Sequence, residues 1–190
     1  MLFVQLTGLS GSGKSTLSRR VAHRLTELGY RVEVLDGDQY RQRLWPELTF
    51  SAHDRQENIR RLGFIGQRMT HHGVLVILAA INPYEQIRTE LSAMMPGSKL
   101  VFIHCDLATL VQRDPKGLYA RALLPQHHAD KITNLTGIND PYETPASPDL
   151  LIDTGTETEE ASEQKLVSFL LDWLKTNSSD SSISRHLMNL

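Results

Sequence analysis

Cysteine is almost absent from this chain of 190 residues, because Cys105 is the only one. A single cysteine excludes an internal disulfide, and a protein without disulfides suits a reducing compartment. Cys105 follows a short apolar run, so we interpret it as a structural thiol at the end of a buried strand. Stability must therefore come from an ordinary hydrophobic core, for which the chain is long enough.

Long apolar runs and an excess of one charge are also missing. The longest apolar run extends from Val74 to Ile81, whereas a bilayer span needs roughly 20 residues. The chain enters a short apolar strand without a basic region or cleavage site, so we expect no export signal, no membrane partner and a cytoplasmic location. A net charge of −2 gives no electrostatic basis for binding nucleic acid.

The stretch Gly8–Thr16 reads GLSGSGKST and fits the phosphate-binding pattern G-x-x-x-x-G-K-[ST]. An apolar strand at 2–6 precedes it, and apolar residues recur at helical spacing after it until Gly29. Glycines let backbone N–H groups turn towards phosphate oxygens, while Lys14 reaches the β- and γ-phosphates and Ser15 ligates Mg²⁺. This context makes a chance glycine-rich turn the weaker interpretation. The predicted ATP-binding residues are Gly8, Ser10, Gly11, Ser12, Gly13, Lys14, Ser15 and Thr16.

Two carboxylates, Asp36 and Asp38, follow a predicted second strand at 31–35. Ligands bind at the carboxyl ends of the strands in an open parallel sheet. Beside a phosphate loop, one of the two carboxylates can hold Mg²⁺ or its waters, for which we favour Asp36 next to Ser15, and the other can accept a proton from an attacking hydroxyl. The alternative is an Asp-Gly turn with solvated side chains, but the neighbouring loop favours the functional interpretation.

Apolar patterning predicts one α/β domain over residues 1–175. The run at 74–81 is apolar at every position, as in a strand that is covered on both faces of a parallel sheet. Further strands are predicted at 100–105 and 150–153. The pattern indicates a three-layer P-loop NTPase-type fold, in which helices cover both faces of a mostly parallel five-stranded sheet.

After residue 50, residue types that typically cap the N-terminus of a helix predict three helix starts. Arg55 and Asn58 share a face of the first of these helices, where a solvated charged face is the more ordinary interpretation of the residue types alone. The three signals are Ser51 with Asp54, Asn82 followed by Pro83, and Thr156 with Glu159.

Residues 113–148 are rich in proline and lack periodicity. A stretch of this length is uncommon as a plain connection, so we interpret it as a lid or an acceptor-binding insertion. Residues 176–190 are serine-rich and polar, and we predict that they form a flexible tail.

Between Phe3 and Asp153 the chain resembles the adenylylsulfate kinase family. The resemblance rests on separated strings that occur in the family's order. FSAHDRQENIRR and RDPKGLY are far more specific to the family than the phosphate loop is. The strings are LDGD at Leu35, FSAHDRQENIRR at Phe50, NPY at Asn82, RDPKGLY at Arg113 and TGINDPYE at Thr136, together with GLSGSGKST at Gly8.

The resemblance implies transfer of the γ-phosphoryl group of ATP, with Mg²⁺, to the 3′-hydroxyl of adenylyl sulfate, giving 3′-phosphoadenylyl sulfate and ADP for sulfate assimilation. It also implies a homodimer. Asp38 matches the proposed base or orienter of the acceptor hydroxyl, and Lys116 matches a lid lysine near the transferred group, so Lys14, Asp38 and Lys116 are the predicted catalytic residues. The predicted substrate-binding residues are Asp36, Asp38, Arg41, Phe50, Arg55, Asn58, Ile81, Lys116 and Leu135.

Two positions depart from the family pattern. Asn82 stands where the family usually has a serine that is phosphorylatable in some relatives, so no phosphoenzyme can form on that side chain. Leu135 stands where the family usually has a phenylalanine, which would stack on the acceptor adenine opposite Phe50. Two alternatives remain: a kinase of the same family with another nucleotide-linked or small hydroxyl acceptor, and a non-catalytic nucleotide-binding regulator.

Overall fold

The computed structural model describes residues 2–179. Its strands are β1 Phe3–Thr7, β2 Val32–Asp36, β3 Leu75–Ala79, β4 Lys99–His104 and β5 Leu150–Asp153. Its helices are α1 Lys14–Glu27, α2 Gly37–Leu44, α3 Ala52–His71, α4 Glu85–Met94, α5 Leu107–Arg113, α6 Leu118–Ala122 and α7 Glu159–Ser179. The strands form one parallel sheet in the order β2-β3-β1-β4-β5, which confirms the predicted fold class.

Alternate side chains of the inner strands enter two separate cores. Val4 and Leu6 of β1 pack with α1 and α7 on one face of the sheet. Phe3, also on β1, packs with α3 and α4 on the other face. Strand β3 contributes to both cores in the same way, which explains why its sequence is apolar at every position.

Helix α3 lies close against the sheet, and this contact sets the position of its N-terminal end. A Cβ atom at Gly66 would lie 2.3 Å from Cε2 of the fully buried Phe3, so only a glycine allows this approach. The first turns of the same helix carry Arg55 and Asn58. Packing of the helix on the sheet therefore positions two predicted site residues.

The structure confirms one predicted helix start and corrects another. Ser51 caps α3, because its Oγ accepts a hydrogen bond from the N–H of Asp54. In contrast, α4 begins at Glu85 with Tyr84 as its N-cap residue, so the prediction that Asn82 caps this helix is wrong. Asn82 adopts a φ of 43° instead.

Hydrogen bonds of Asn82 and Glu85 to other parts of the chain explain why Asn82 does not cap α4. The Nδ2 of Asn82 donates to Oε1 of Gln5 at 3.2 Å, and its carbonyl accepts from Arg88 NH1 at 2.9 Å. The N–H of Glu85 donates to Oε2 of Glu143 at 2.6 Å. A carboxylate from a distant segment therefore takes the capping role that the local sequence assigns to Asn82.

The third predicted cap is displaced by two residues. The N–H of Ala161 donates to Oγ1 of Thr158 at 3.1 Å, whereas Oγ1 of Thr156 donates to the carbonyl of Asp153. Helix α7 then continues to Ser179, so 176–179 of the predicted tail are helical, and 180–190 lie outside the described residues. No helix within residues 2–179 is long and apolar enough to cross a membrane.

Candidate active site

The predicted phosphate loop joins β1 to α1 and packs tightly against β4. Gly8 has a φ of 154°, and a Cβ atom there would lie 2.3 Å from the carbonyl oxygen of Ile103. Ser12 is fully buried beneath the loop, where its carbonyl accepts from Oγ1 of Thr154 at 3.0 Å. Within residues 2–179, the N–H groups of Gly11 and of 13–16 donate to no backbone carbonyl. These free donors at a helix N-terminus fit an anion.

Lys14 folds back over the loop. Its Nζ donates to the carbonyls of Gly8 at 2.8 Å and Leu9 at 2.7 Å, and the side chain is buried. Burial lowers the pKa of the Lys14 ammonium from 10.5 to about 7, while the carboxylates of Asp38 and Asp36 act in the opposite direction. A phosphate group beside this nitrogen would restore the charged form.

Ser15 and Asp36 form the pair that is predicted to hold Mg²⁺. The Oγ of Ser15 donates to Oδ2 of Asp36 at 2.6 Å. The other carboxylate oxygen, Oδ1, accepts from the N–H groups of Asp38 and Gln39 and so caps α2. A hydroxyl and a carboxylate fit Mg²⁺, which binds oxygen ligands and keeps several of its waters.

A cavity of about 260 Å³ lies above the loop, between the ends of β2 and β3 and the segment after α5. Lys116 Nζ donates to Oδ2 of Asp38 at 2.6 Å, and this ion pair, half exposed to solvent, forms one side of the cavity. The structure thus brings together two residues that are far apart in the sequence. The cavity is lined by Ser10, Gly11, Gly13, Lys14, Ser15, Thr16, Asp36, Asp38, Ala79, Ala80, Ile81, Pro115 and Lys116.

A second and more apolar cavity, of about 660 Å³, opens beside the first. Phe50 is 55% exposed, so its ring is available to a planar ligand. Leu135 also lines this cavity. Ser10, Asp38, Ile81 and Lys116 line both cavities, so the two spaces meet at these residues.

Two guanidinium groups lie near the Phe50 ring. The Cζ atoms of Arg41 and Arg55 are 4.9 Å and 6.0 Å from its centroid. Arg41 NH1 donates to the carbonyl of Thr49 at 2.5 Å. Burial lowers the pKa of Arg41, so an anionic ligand in this cavity would offset the cost of burying its charge.

Arg55 is tied to the lid segment, which we define as residues 113–148. Its guanidinium donates to the carbonyl of Asn134 and to Oγ1 of Thr136, and it lies 3.5 Å from Oδ2 of Asp140. Its Nε donates to the carbonyl of Phe50 at 2.9 Å. Arg55 therefore shapes the apolar cavity by holding the lid against α3, as well as lining it.

Asn58 is placed differently from the other predicted residues. Its Oδ1 accepts from Nε1 of Trp45 at 2.6 Å, and its Nδ2 donates to the carbonyl of Gly37 at 3.3 Å. Asn58 is buried and does not line the apolar cavity. In this structure it joins α3 to the start of α2, and so positions the segment that carries Asp38.

A third cavity, of about 470 Å³, borders the phosphate loop and the start of α7, and no sequence motif predicts it. Arg113 forms one wall, where its NH2 donates to the carbonyl of Thr154 at 2.9 Å. Gly11, Gly13 and Thr16 line both this cavity and the one above the loop. The RDPKGLY string contains Arg113, but nothing local to Thr154 or Thr158 marks them as part of a pocket.

The three cavities form a row with the loop at its centre. The third cavity and the apolar cavity stand on either side of the cavity above the loop, which shares lining residues with each. Within residues 2–179, no group of three or more His, Cys, Asp or Glu side chains could hold a metal ion. The arrangement suits two organic ligands whose reacting groups meet beside Asp38 and Lys116.

Comparison with known proteins finds similarity to adenylyl-sulfate kinases. A model of the adenylylsulphate kinase family matches residues 1–153. The adenylyl-sulfate kinase of Chloroflexus aurantiacus is 48% identical over 153 residues, covering 80% of this chain and 80% of that protein. The probable bifunctional SAT/APS kinase 2 of Sorangium cellulosum is 46% identical over 167 residues, covering 88% of this chain but only 28% of that protein.

A solved structure is similar along most of the chain. The APS kinase of Mycobacterium tuberculosis in complex with AMPPNP and APS superposes with a TM-score of 0.82 at 37% identity. The similarity covers 90% of this chain and 97% of that one.

Proposed function

Because the chain belongs to the adenylylsulphate kinase family, we propose that it transfers the γ-phosphoryl group of ATP to the 3′-hydroxyl of adenylyl sulfate. The products are 3′-phosphoadenylyl sulfate and ADP, as sulfate assimilation requires. The observation that carries the proposal is the meeting of a phosphate-binding cavity and an apolar cavity at Asp38 and Lys116. A second cavity that meets the first at these residues supports a reaction of two substrates over a switch with a single ligand.

ATP occupies the donor side. Its base enters the cavity walled by Arg113 and Thr154, and its phosphates lie against the free N–H groups of the loop. Ser15 and Asp36 would hold Mg²⁺, which would supply positive charge to offset that of the phosphates. Lys14 supplies a further positive charge at the same phosphates.

Adenylyl sulfate occupies the acceptor side. Its adenine stacks on Phe50 between the apolar side chains of the larger cavity, which include Leu135 and Ile81. Arg41 and Arg55 face the same space and attract the phosphosulfate group. This arrangement directs the ribose towards Asp38.

The transfer step then uses residues at the junction of the two cavities. Asp38 accepts the proton of the 3′-hydroxyl while the hydroxyl oxygen bonds to the γ-phosphorus, and the bond from that phosphorus to the ADP oxygen breaks. Lys116 leaves Asp38 and pairs with the transferred phosphoryl group, so the carboxylate becomes free to accept the proton. Direct transfer needs no nucleophile at position 82, where this chain has Asn82.

Acceptor-dependent release of ADP tests the proposal. Purified protein with Mg-ATP is supplied in turn with adenylyl sulfate, AMP, shikimate and gluconate, and ADP is measured. We expect turnover with adenylyl sulfate only. Turnover with another acceptor would favour a different kinase, and ATP binding without any transfer would favour a nucleotide-binding regulator.

Leu135 provides a prediction about the acceptor. Replacing Leu135 with phenylalanine should add a second aromatic face opposite Phe50 and lower the KM for adenylyl sulfate. Aromatic pairs contribute about 0.5–1.5 kcal/mol beyond area burial, which corresponds to a decrease of about 2- to 12-fold. The KM for ATP should stay constant. An unchanged KM for adenylyl sulfate in steady-state assays would contradict the stacking arrangement.

The lowered pKa of Lys14 predicts that the protein takes up a proton when it binds Mg-ATP. Its pKa is about 7 in the ligand-free protein, and phosphates raise that pKa, so the bound form holds more protons at every pH between the two values. Mg-ATP binding should therefore take up most of one proton at about pH 8, and affinity should fall as pH rises through this window. Calorimetry in buffers of different ionisation enthalpy measures the uptake.

The matched control for this measurement is Lys14→Arg, because a guanidinium stays charged and should take up no proton. Equal binding heats in all buffers for the unmodified protein would show that Lys14 does not change its protonation state.

Domain extent, cellular compartment and oligomeric state are further proposals. We propose that residues 1–175 form one kinase domain with the lid segment as an insertion, and that the protein acts in the cytoplasm. The near absence of cysteine supports this compartment. A homodimer is proposed on the family resemblance alone, and light scattering would test it.

A further inference from the structure

Tyr119 connects the lid segment to the phosphate loop. Its side chain is only 1% exposed, and its ring packs in a small core that includes Leu110 and Leu135. Its hydroxyl donates to the carbonyl of Ser10 at 2.8 Å, across 109 residues of sequence. Burial raises the pKa of Tyr119 to about 12, so the hydroxyl keeps its proton and remains a donor.

This hydrogen bond acts on one peptide plane of the loop. No peptide bond in the described chain is cis, and in a trans peptide the C=O and the following N–H point in opposite directions. Because the carbonyl of Ser10 points towards the hydroxyl of Tyr119, the N–H of Gly11 points away from Tyr119. Gly11 lines the cavity above the loop, and its N–H donates to no backbone carbonyl within residues 2–179.

Gly11 makes this plane prone to rotate. With a φ of 75° it occupies a region that only glycine adopts readily, so the peptide between Ser10 and Gly11 has an accessible flipped orientation. A flipped peptide would direct a carbonyl oxygen, rather than an N–H group, towards the phosphates. The hydroxyl of Tyr119 favours the orientation that suits an anion.

We propose that Tyr119 is a positioning residue for ATP, and that its hydroxyl holds the Ser10–Gly11 peptide in the phosphate-binding orientation. The inference rests on the proposed function only in taking ATP as the ligand of the loop. Two further contacts bring the lid segment to the same loop: Leu9 lies against Gly137, and Pro115 lies beside Gly11. Tyr119 contributes the one hydrogen bond among these three contacts.

The test compares Tyr119→Phe with Tyr142→Phe. Tyr142 is a matched control, because its hydroxyl is also hydrogen bonded, to Oγ1 of Thr7 at 3.0 Å, but contacts no carbonyl of the phosphate loop. Calorimetry measures the Kd values for Mg-AMPPNP and for adenylyl sulfate. For Tyr119→Phe we expect AMPPNP to bind about 3- to 10-fold more weakly, with the Kd for adenylyl sulfate unchanged, and for Tyr142→Phe we expect neither to change.

A conservative replacement then separates positioning from packing. The amine of 4-aminophenylalanine at position 119 restores a hydrogen-bond donor, whereas 4-fluorophenylalanine has a substituent at the same ring position that cannot donate. Both fill the space of the hydroxyl, so the comparison remains possible if Tyr119→Phe does not fold. We expect the first to recover AMPPNP affinity and the second not to. Equal AMPPNP affinity in these two variants, or parallel loss of affinity for both ligands, would overturn the proposal.

This outcome is separate from that of the proposed function. AMPPNP binding does not depend on the acceptor, so the difference between the two variants at position 119 persists even if the acceptor is another alcohol. Failure of the acceptor assay with a clear difference in AMPPNP affinity would remove adenylyl sulfate as the substrate and keep the role of Tyr119.

Discussion

Replacing Asp38 with asparagine should lower turnover by about 10²- to 10⁴-fold, the range for loss of a general base. The amide has almost the same shape but cannot accept the proton of the acceptor hydroxyl. Asp38 lies at the junction of the two cavities, and its side chain is 66% exposed. We therefore expect the stability and the Kd for Mg-AMPPNP to be nearly unchanged, as measured by calorimetry.

Glu47→Gln is the control for Asp38→Asn. Glu47 also forms an exposed ion pair, with Arg61 at 2.6 Å, but it lines neither of the two cavities that meet at Asp38. Turnover of this variant should match that of the unmodified protein. Near-normal turnover of Asp38→Asn would remove Asp38 from the role of base.

Replacing Arg55 with alanine should weaken acceptor use more than ATP use and should also destabilise the protein. The buried guanidinium holds Asn134, Thr136 and Asp140 of the lid segment, so its loss releases the lid and leaves the Asp140 carboxylate without its cation. Removing one partner of a largely buried pair costs about 2–4 kcal/mol. Chemical denaturation and the separate KM values for adenylyl sulfate and ATP measure the two effects.

A double variant separates the two roles of Arg55. Asp140→Asn in the background of Arg55→Ala removes the unpaired charge, so the free energy of unfolding should partly recover while the KM for adenylyl sulfate stays high. Recovery of both would mean that Arg55 acts only through stability. An unchanged KM in Arg55→Ala would show that the arginine does not serve the acceptor cavity.

The fold could be predicted from the sequence because its signals are local. The strand before Gly8, the loop and the helix after it lie within 30 residues of sequence, and the alternation of side chains between two cores follows from strand geometry. The helix start at Asn82 was predicted wrongly because Glu143, from a distant segment, caps α4. The sequence around Asn82 does not indicate that a residue so far along the chain caps the helix.

The candidate site could be predicted only in part, for the same reason. The loop motif predicted residues that line the cavity above the loop, and the family resemblance predicted residues that line the apolar cavity. The hydrogen bond between Tyr119 and Ser10 and the cavity beside Thr154 both depend on how segments far apart in the sequence pack together, which no local periodicity encodes. Asn58 was predicted at the acceptor, whereas its amide is held by Trp45 and Gly37.

The position of the transferred phosphate shows directly whether the protein phosphorylates the 3′-hydroxyl of adenylyl sulfate. Protein, Mg²⁺, adenylyl sulfate and ATP labelled in its γ-phosphate are incubated, and the labelled product is identified by chromatography and phosphorus NMR. We expect label on the 3′-hydroxyl of adenylyl sulfate, with one ADP formed per product. Label that remains in ATP, appears only as free phosphate, or reaches a different hydroxyl would contradict it.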